Sequence, residues 1–211
     1  FSLTNCSFTN NQGRSIHIDN STREMTITNC TFSSNQDYSL YLTNCNLINS
    51  IYDCTFSNNQ DNSMCIENSN SSSSEFPIFD CIFSSNQKYS IHLINFASSV
   101  SVSSCSFSEN KESSICVLES NEDVFVNDCT FESSKIDKND ENQLLLFDYE
   151  ITCHCTKSFI IDNVSFINTG GIYILPESPI SNQIKLTRIK IENGNYGFFF
   201  EPSNKVFSKI S

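Results

Sequence analysis

The sequence predicts an all-β fold, a right-handed parallel β-helix of about eight coils of roughly 24 residues, and three observations carry that prediction. Close copies of Asn29-Cys30-Thr31-Phe32-Ser33-Ser34-Asn35 recur around Cys6, Cys54, Cys81, Cys105 and Cys129, at steps of 24, 24, 27, 24 and 24 residues. A fixed period in that range means stacked copies of one unit sharing a continuous core. Within each unit, runs of three or four residues alternate apolar and polar and are broken by Asn, Asp and Ser, the pattern of short strands joined by tight turns. A further strand signal follows five residues after the turn Asn. A leucine-rich repeat would instead need an apolar residue two places after it, and those places hold Gly13, Asp37, Asp61, Lys88 and Glu112. Charges of both signs do not share a buried column.

The coils follow in order. The first carries Cys6, Phe8, Asn11, Ile16 and Ile18. The second shows the unit fully: Met25-Thr-Ile27, a bend at Asn29, Cys30-Thr-Phe32, a polar turn Asn35-Gln-Asp37, and Leu40-Tyr-Leu42. The third holds Ile51, Cys54, Phe56, Asn59, Met64 and Ile66, and the fourth Ile78, Cys81, Phe83, Asn86, Ile91 and Leu93. Between them, Glu67 to Glu75 is Ser-rich and is expected to loop out as a surface insertion. The fifth coil has Val100, Val102, Cys105, Phe107, Asn110, Ile115 and Val117. The sixth begins regularly with Val124, Val126, Cys129 and Phe131. Ser134 then stands in place of the turn Asn, and a charged excursion runs from Lys135 to Asn142 before Leu144 to Phe147. Two degenerate coils follow, with Ile161, Val164, Phe166, Asn168, Gly171, Ile172 and Ile174, then Ile184, Leu186, Ile189, Ile191, Asn193, Gly197, Phe198 and Phe200. The chain thus reads as a single segment, 1–211, with regular coils over 1–134 and degenerate ones over 135–211. Starting at Phe1 and ending after a strand-like unit, it reads as an excerpt of a longer chain.

In this geometry Phe8, Phe32, Phe56, Phe83, Phe107, Phe131 and Phe166 stack inside the coil, each worth about 1.5 to 3 kcal/mol when fully buried. Asn11, Asn35, Asn59, Asn86 and Asn110 form a second ladder, each amide donating to the next along the axis, and Asn tolerates a left-handed turn backbone. The file Cys6, Cys30, Cys54, Cys81, Cys105 and Cys129 reads as buried thiols acting as small apolar residues. Parallel in-register strands set their Cβ vectors side by side, so disulfides along the file are not expected. Eleven cysteines also leave at least one thiol unpaired within the chain.

Bulk charge excludes some roles. With 24 acidic and 12 basic residues the net charge is −12, which repels phosphate backbones and anionic lipid surfaces. Neither nucleic acid nor a membrane surface is an expected partner, and the run Leu144-Leu145-Leu146-Phe147 is far too short to span a bilayer.

Three groups of residues carry candidate chemistry. Asp53 and Asp80 precede the ladder Cys of adjacent coils, about one coil spacing apart, the separation of a retaining glycosidase pair. The same column, reading Asn5, Asn29, Asp53, Asp80, Ser104, Asp128 and Asn163, is also what a file of turn formers looks like, and that reading is preferred. Cys65, His92 and Cys116 share the outward column of three consecutive coils and offer soft-metal donors. With His17 and Tyr41 extending the column, an ordinary sheet face is preferred, and no metal or cofactor is expected. Cys153-His154-Cys155 reads as a strand edge or turn. Sequons at Asn5, Asn20, Asn29, Asn70 and Asn163 leave Asn20 and Asn70 as the acceptors with room for a glycan.

The unit Cys-x-Phe-x-x-Asn followed by a short strand resembles the polymorphic outer membrane protein repeat, defined by F-x-x-N and G-G-A-I tetrapeptides in chlamydial autotransporter adhesins and present also in protist surface proteins. Phe8, Phe32, Phe56, Phe83 and Phe107 with their paired Asn match the first motif. Gly170-Gly171-Ile172-Tyr173-Ile174 comes nearest the second, while Ser15-Ile16, Ser39-Leu40, Ser63-Met64, Ser90-Ile91 and Ser114-Ile115 stand in its place elsewhere. The resemblance implies a surface-exposed passenger or stalk rather than a catalyst: a non-enzymatic, extracellular structural or adhesive segment, continued by flanking coils and meeting other surface or matrix proteins or glycans. The alternatives are a carbohydrate-active β-helix enzyme, a lyase or hydrolase using Asp53 and Asp80, and a protist structural scaffold in which free thiols are natural.

Overall fold

The computed structural model describes residues 1–71, 75–120, 122–134, 149–155, 158–174, 184–194 and 197–200. The charged excursion expected at 135–142 and the apolar run 144–147 lie outside them. No described residue is helical. Short strands recur three to a coil, as Met25–Thr28, Thr31–Ser33 and Leu40–Thr43 show in the second coil. Every strand pairs in parallel with its counterpart one coil away, giving three sheets of eight strands. Eight coils were expected, and each sheet has eight rungs.

The corners explain why these residues wind this way. Twenty non-glycine residues hold a left-handed backbone with φ between 48° and 58°, and no described glycine does. They form three files. One occupies the bend before the Cys column (Asn5, Asn29, Asp53, Asp80, Ser104, Asp128, Asn163, Arg188), one follows the Phe strand (Asn10, Ser34, Asn58, Ser85, Glu109, Asn168, Asn193), and one ends the third strand (Asn20, Asn44, Asn68, Asn95, Glu119). A left-handed residue costs about 1 to 2 kcal/mol with a Cβ, and short polar side chains that bond locally reduce it. The left-handed residue of the second corner is therefore the one before the ladder Asn, not the ladder Asn itself as the sequence suggested.

Between corners, alternate side chains point inward. Phe8, Phe32, Phe56, Phe83, Phe107, Phe131 and Phe166 lie in register. Their rings stack with centroids 4.6 to 5.1 Å apart and planes within 12°. Ile27, Ile51, Ile78, Val102, Val126 and Ile161 line the first sheet, and Leu40, Met64, Ile91, Ile115, Ile151 and Ile172 the third, all in one buried cluster.

Two expectations are corrected. The Ser-rich segment does not loop out as a whole: Glu67 ends a strand, Met64–Glu67, and Ser69 and Ser71 are buried. Ser69 Oγ accepts the Cys45 N–H at 2.9 Å, and Ser71 Oγ donates to the Ile48 carbonyl at 2.7 Å, so both are corner pieces of the solenoid. Cys153 and His154 lie within the strand Ile151–Cys155 rather than at an edge or turn, and Cys153 is paired on both sides, in the buried file between Val117 and Ile174.

Candidate functional site

The interior is filled by its own ladders. Asn59 Nδ2 donates to Asn86 Oδ1 at 3.1 Å, to the Phe32 carbonyl at 3.2 Å and to Ser63 Oγ at 3.3 Å, while Asn59 Oδ1 accepts from Asn35 Nδ2 and the Asn35 N–H. The same relay links Asn11 to Asn35 and Asn86 to Asn110. Of the five serines standing in place of G-G-A-I, Ser15, Ser39, Ser63 and Ser114 each take a bond from the amide four residues earlier, while the Ser90 hydroxyl is buried without a partner. That role was missed at the sequence level, although the constant four-residue spacing pointed to it. Cys30, Cys54, Cys81, Cys105 and Cys129 are buried, and each Sγ donates to the carbonyl two residues back at 3.2 to 3.3 Å. These five and Cys6 at the head of the file form no disulfide.

Where the Asn ladder ends, a carboxylate enters. Glu150 occupies the Ser column directly before Ile151, buried, with the Ser114 and Thr169 hydroxyls donating to its two oxygens. Burial pushes its titration up, opposed by those two hydroxyls. Sequence reading passed over it because it falls in a degenerate coil, although alignment with Ser15, Ser39 and Ser114 would have marked it.

The third sheet's outer face is covered beyond the first coil, where His17 is exposed. The turn before each strand folds back over it, so that Tyr38 stacks on Tyr41 and Tyr89 packs on His92 with centroids 5.1 and 4.7 Å apart. Ser113 meets Thr152 at 3.0 Å, and Arg14 places its guanidinium 4.5 Å from the Tyr41 ring centre. Cys65, His92 and Cys116 are aligned on adjacent rungs as the sequence implied. The face is not an ordinary exposed one, however, since Cys65 and Cys116 are only 2% and 3% exposed. Burial pushes both thiols up to about 12 and the His92 imidazole down. Asn62 Nδ2 lies 3.3 Å from His92 Nδ1, and Nε2 is buried without a partner. Among the described residues, no three His, Cys, Asp or Glu side chains converge to hold a metal ion.

Asp53 and Asp80 sit on the outside, at left-handed corners with φ of 54° each. Both are exposed. Elsewhere in this file side chains bond along the axis, Asn29 to Asn5 at 2.5 Å and Asn163 to Asp128 at 2.6 Å. Asp53 and Asp80, two acceptors of like charge, do not. Beside them Tyr52 and Phe79 stack with centroids 4.9 Å apart and planes 6° from parallel. Of the two expected glycan acceptors, Asn20 is exposed at a left-handed corner. Asn70 holds its side-chain oxygen buried, and its N–H donates to the Cys45 carbonyl at 2.9 Å. No described helix is long and apolar enough to cross a membrane.

Comparison with curated proteins and with solved structures finds no match. The model of the right-handed β-helix region matches residues 1–102 and again 70–210. Those two overlapping stretches take in nearly every coil described above, and the chain belongs to the right-handed β-helix family.

Proposed function

We propose that this chain is a non-enzymatic structural or adhesive segment of an extracellular or cell-surface protein, in which the β-helix serves as a stiff rod displaying its outer face. The carrying observation is the continuity of the Phe and Asn ladders, which fill the coil with packed rings and bonded amides and leave Asp53 and Asp80 on the outside. The resemblance to surface-protein repeats supports the same reading. Its partners are then other surface or matrix proteins or glycans. A polysaccharide panel tests it: no turnover by the wild-type chain is expected, and turnover abolished by Asp80→Asn would overturn it. Hexose on Asn20, found by intact mass of the protein from its own cells, is the expected sign of passage through a secretory route.

The second reading, a carbohydrate-active enzyme, is favoured by the unpaired carboxylates of Asp53 and Asp80 on adjacent rungs beside a stacked aromatic pair. The panel distinguishes it directly.

A further inference from the structure

The corner between the first and second sheets is built from three outward files. One reads Thr28, Tyr52, Phe79, Ser103 and Asn127, the next Asn29, Asp53, Asp80, Ser104 and Asp128, and the third Thr31, Thr55, Ile82, Ser106 and Thr130. Small polar residues fill most of this grid. Only the third and fourth coils set aromatic or aliphatic side chains in it, and they do so together, placing the Tyr52–Phe79 stack, the Asp53 and Asp80 carboxylates and Ile82, 48% exposed, at one spot. Neither carboxylate has a hydrogen-bond or ion-pair partner among the described residues, and the cations of these files, Arg188 and Lys190, lie in the last coil, where Arg188 pairs with Asp162. Like charges on neighbouring rungs, about 4.8 Å apart, repel each other. A cation set between them removes that repulsion.

We propose that Tyr52, Asp53, Phe79, Asp80 and Ile82 form a docking patch for an arginine side chain presented by another protein. This rests on the reading of the chain as a display rod, and names the chemistry of the partner. The planar guanidinium suits the patch in three ways. Its face lies against an aromatic ring. Its fork of N–H donors reaches carboxylates on two rungs. Its aliphatic stem lies along Ile82. Lysine lacks the plane and the fork. The chain's charge of −12 draws such a partner in.

The repeat supplies its own conservative variants. Tyr52→Thr and Phe79→Ser install what Thr28 and Ser103 already are in the flanking coils, and Asp53→Asn and Asp80→Asn install what Asn29 is, so the corner backbone is kept. The experiment titrates a short blocked peptide carrying two arginines into the 15N-labelled chain, beside the same peptide with citrulline. Saturable shifts at the amides of Asp53, Asp80 and Ile82 are expected, with the citrulline peptide at least about tenfold weaker. Each double variant, Tyr52→Thr with Phe79→Ser and Asp53→Asn with Asp80→Asn, is expected to lose about tenfold or more. Equal binding of the citrulline peptide, indifference to both double variants, or absence of saturation overturns the proposal. So does a neutral oligosaccharide that shifts the same amides more tightly than the arginine peptide. Turnover of a polysaccharide is read separately, so failure of this patch leaves the proposed function standing.

Discussion

Asparagine and aspartate turn this chain at the corners where a left-handed backbone is needed, and the choice leaves a polar side chain at each one. Fourteen of the twenty left-handed positions are Asn or Asp, which is why the Asn-rich composition made the bends legible. Their phase was not: the ladder Asn and its left-handed neighbour are adjacent, as in Asn10-Asn11 and Asn58-Asn59, and composition cannot tell which faces inward. Glu150 is the residue whose role follows from burial alone. Its folded-state titration lies above the unfolded value of 4.5, chiefly through burial. The contribution is therefore fully present below the unfolded value and is lost as pH rises through the folded one. His92 acts oppositely: burial holds it neutral, so its contribution stands above the usual imidazole range and fades as pH falls. Glu150→Gln is expected to stabilise the chain by about 1 to 3 kcal/mol at pH 8 and to be nearly neutral near pH 4. At about 2 to 4 °C per kcal/mol, thermal melts at the two pH values resolve the difference. A melting shift of the same size at both would show that the carboxyl does not titrate in this window.

At the scale of the element, the ladders divide the work between packing and polarity. The Phe file removes apolar area from water, and the Asn file fixes the rung offset, since each amide bonds the rung beyond and the carbonyl of the rung before. Asn59→Ala breaks this relay in the middle. It takes a donor from Asn86 Oδ1 and from the Phe32 carbonyl and the acceptor from the Asn35 N–H and side-chain amide, in a dry interior where each unsatisfied group costs about 1 to 3 kcal/mol. A loss of about 3 kcal/mol or more is expected by chemical denaturation, exceeding that of Ser63→Ala, which removes one of the three acceptors of the Asn59 amide. Comparable losses for the two would mean that the ladder carries no more than an isolated side-chain bond. Both ladders were readable because a 24-residue period repeats each residue type at the same place in the coil. The cover over the third sheet was not readable in that way. Burial of Cys65 and Cys116 depends on the preceding turn folding back, with Tyr89 on His92 and Ser113 against Thr152, and nothing in strand alternation reports which turn lies over which strand. Ser69 and Ser71 escaped notice for a related reason, being polar residues buried to satisfy corner backbone groups, the Cys45 N–H and the Ile48 carbonyl, rather than exposed in a loop.

The whole molecule inherits a one-dimensional character from its sheets. Every strand pairing joins a coil to its immediate neighbour, so described coils are coupled only through the rung next to them. Stability in such a stack is a sum of coil terms and nearest-neighbour interfaces, and local opening spreads outward from a defect. Phe83 is suited to reveal this, because its ring stacks on Phe56 at 5.0 Å and on Phe107 at 5.0 Å and is fully buried. Phe83→Ala leaves a cavity between two stacked rings and costs about 3 to 5 kcal/mol. Hydrogen exchange is expected to quicken by about a hundredfold or more in the strands Thr55–Ser57, Ile82–Ser84 and Ser106–Ser108. The effect should fall off by the rungs of Phe8 and Phe166, three coils away on either side. An even acceleration along the chain would mean that the solenoid opens as one unit, and that its coils are bound together by more than the contacts between adjacent rungs.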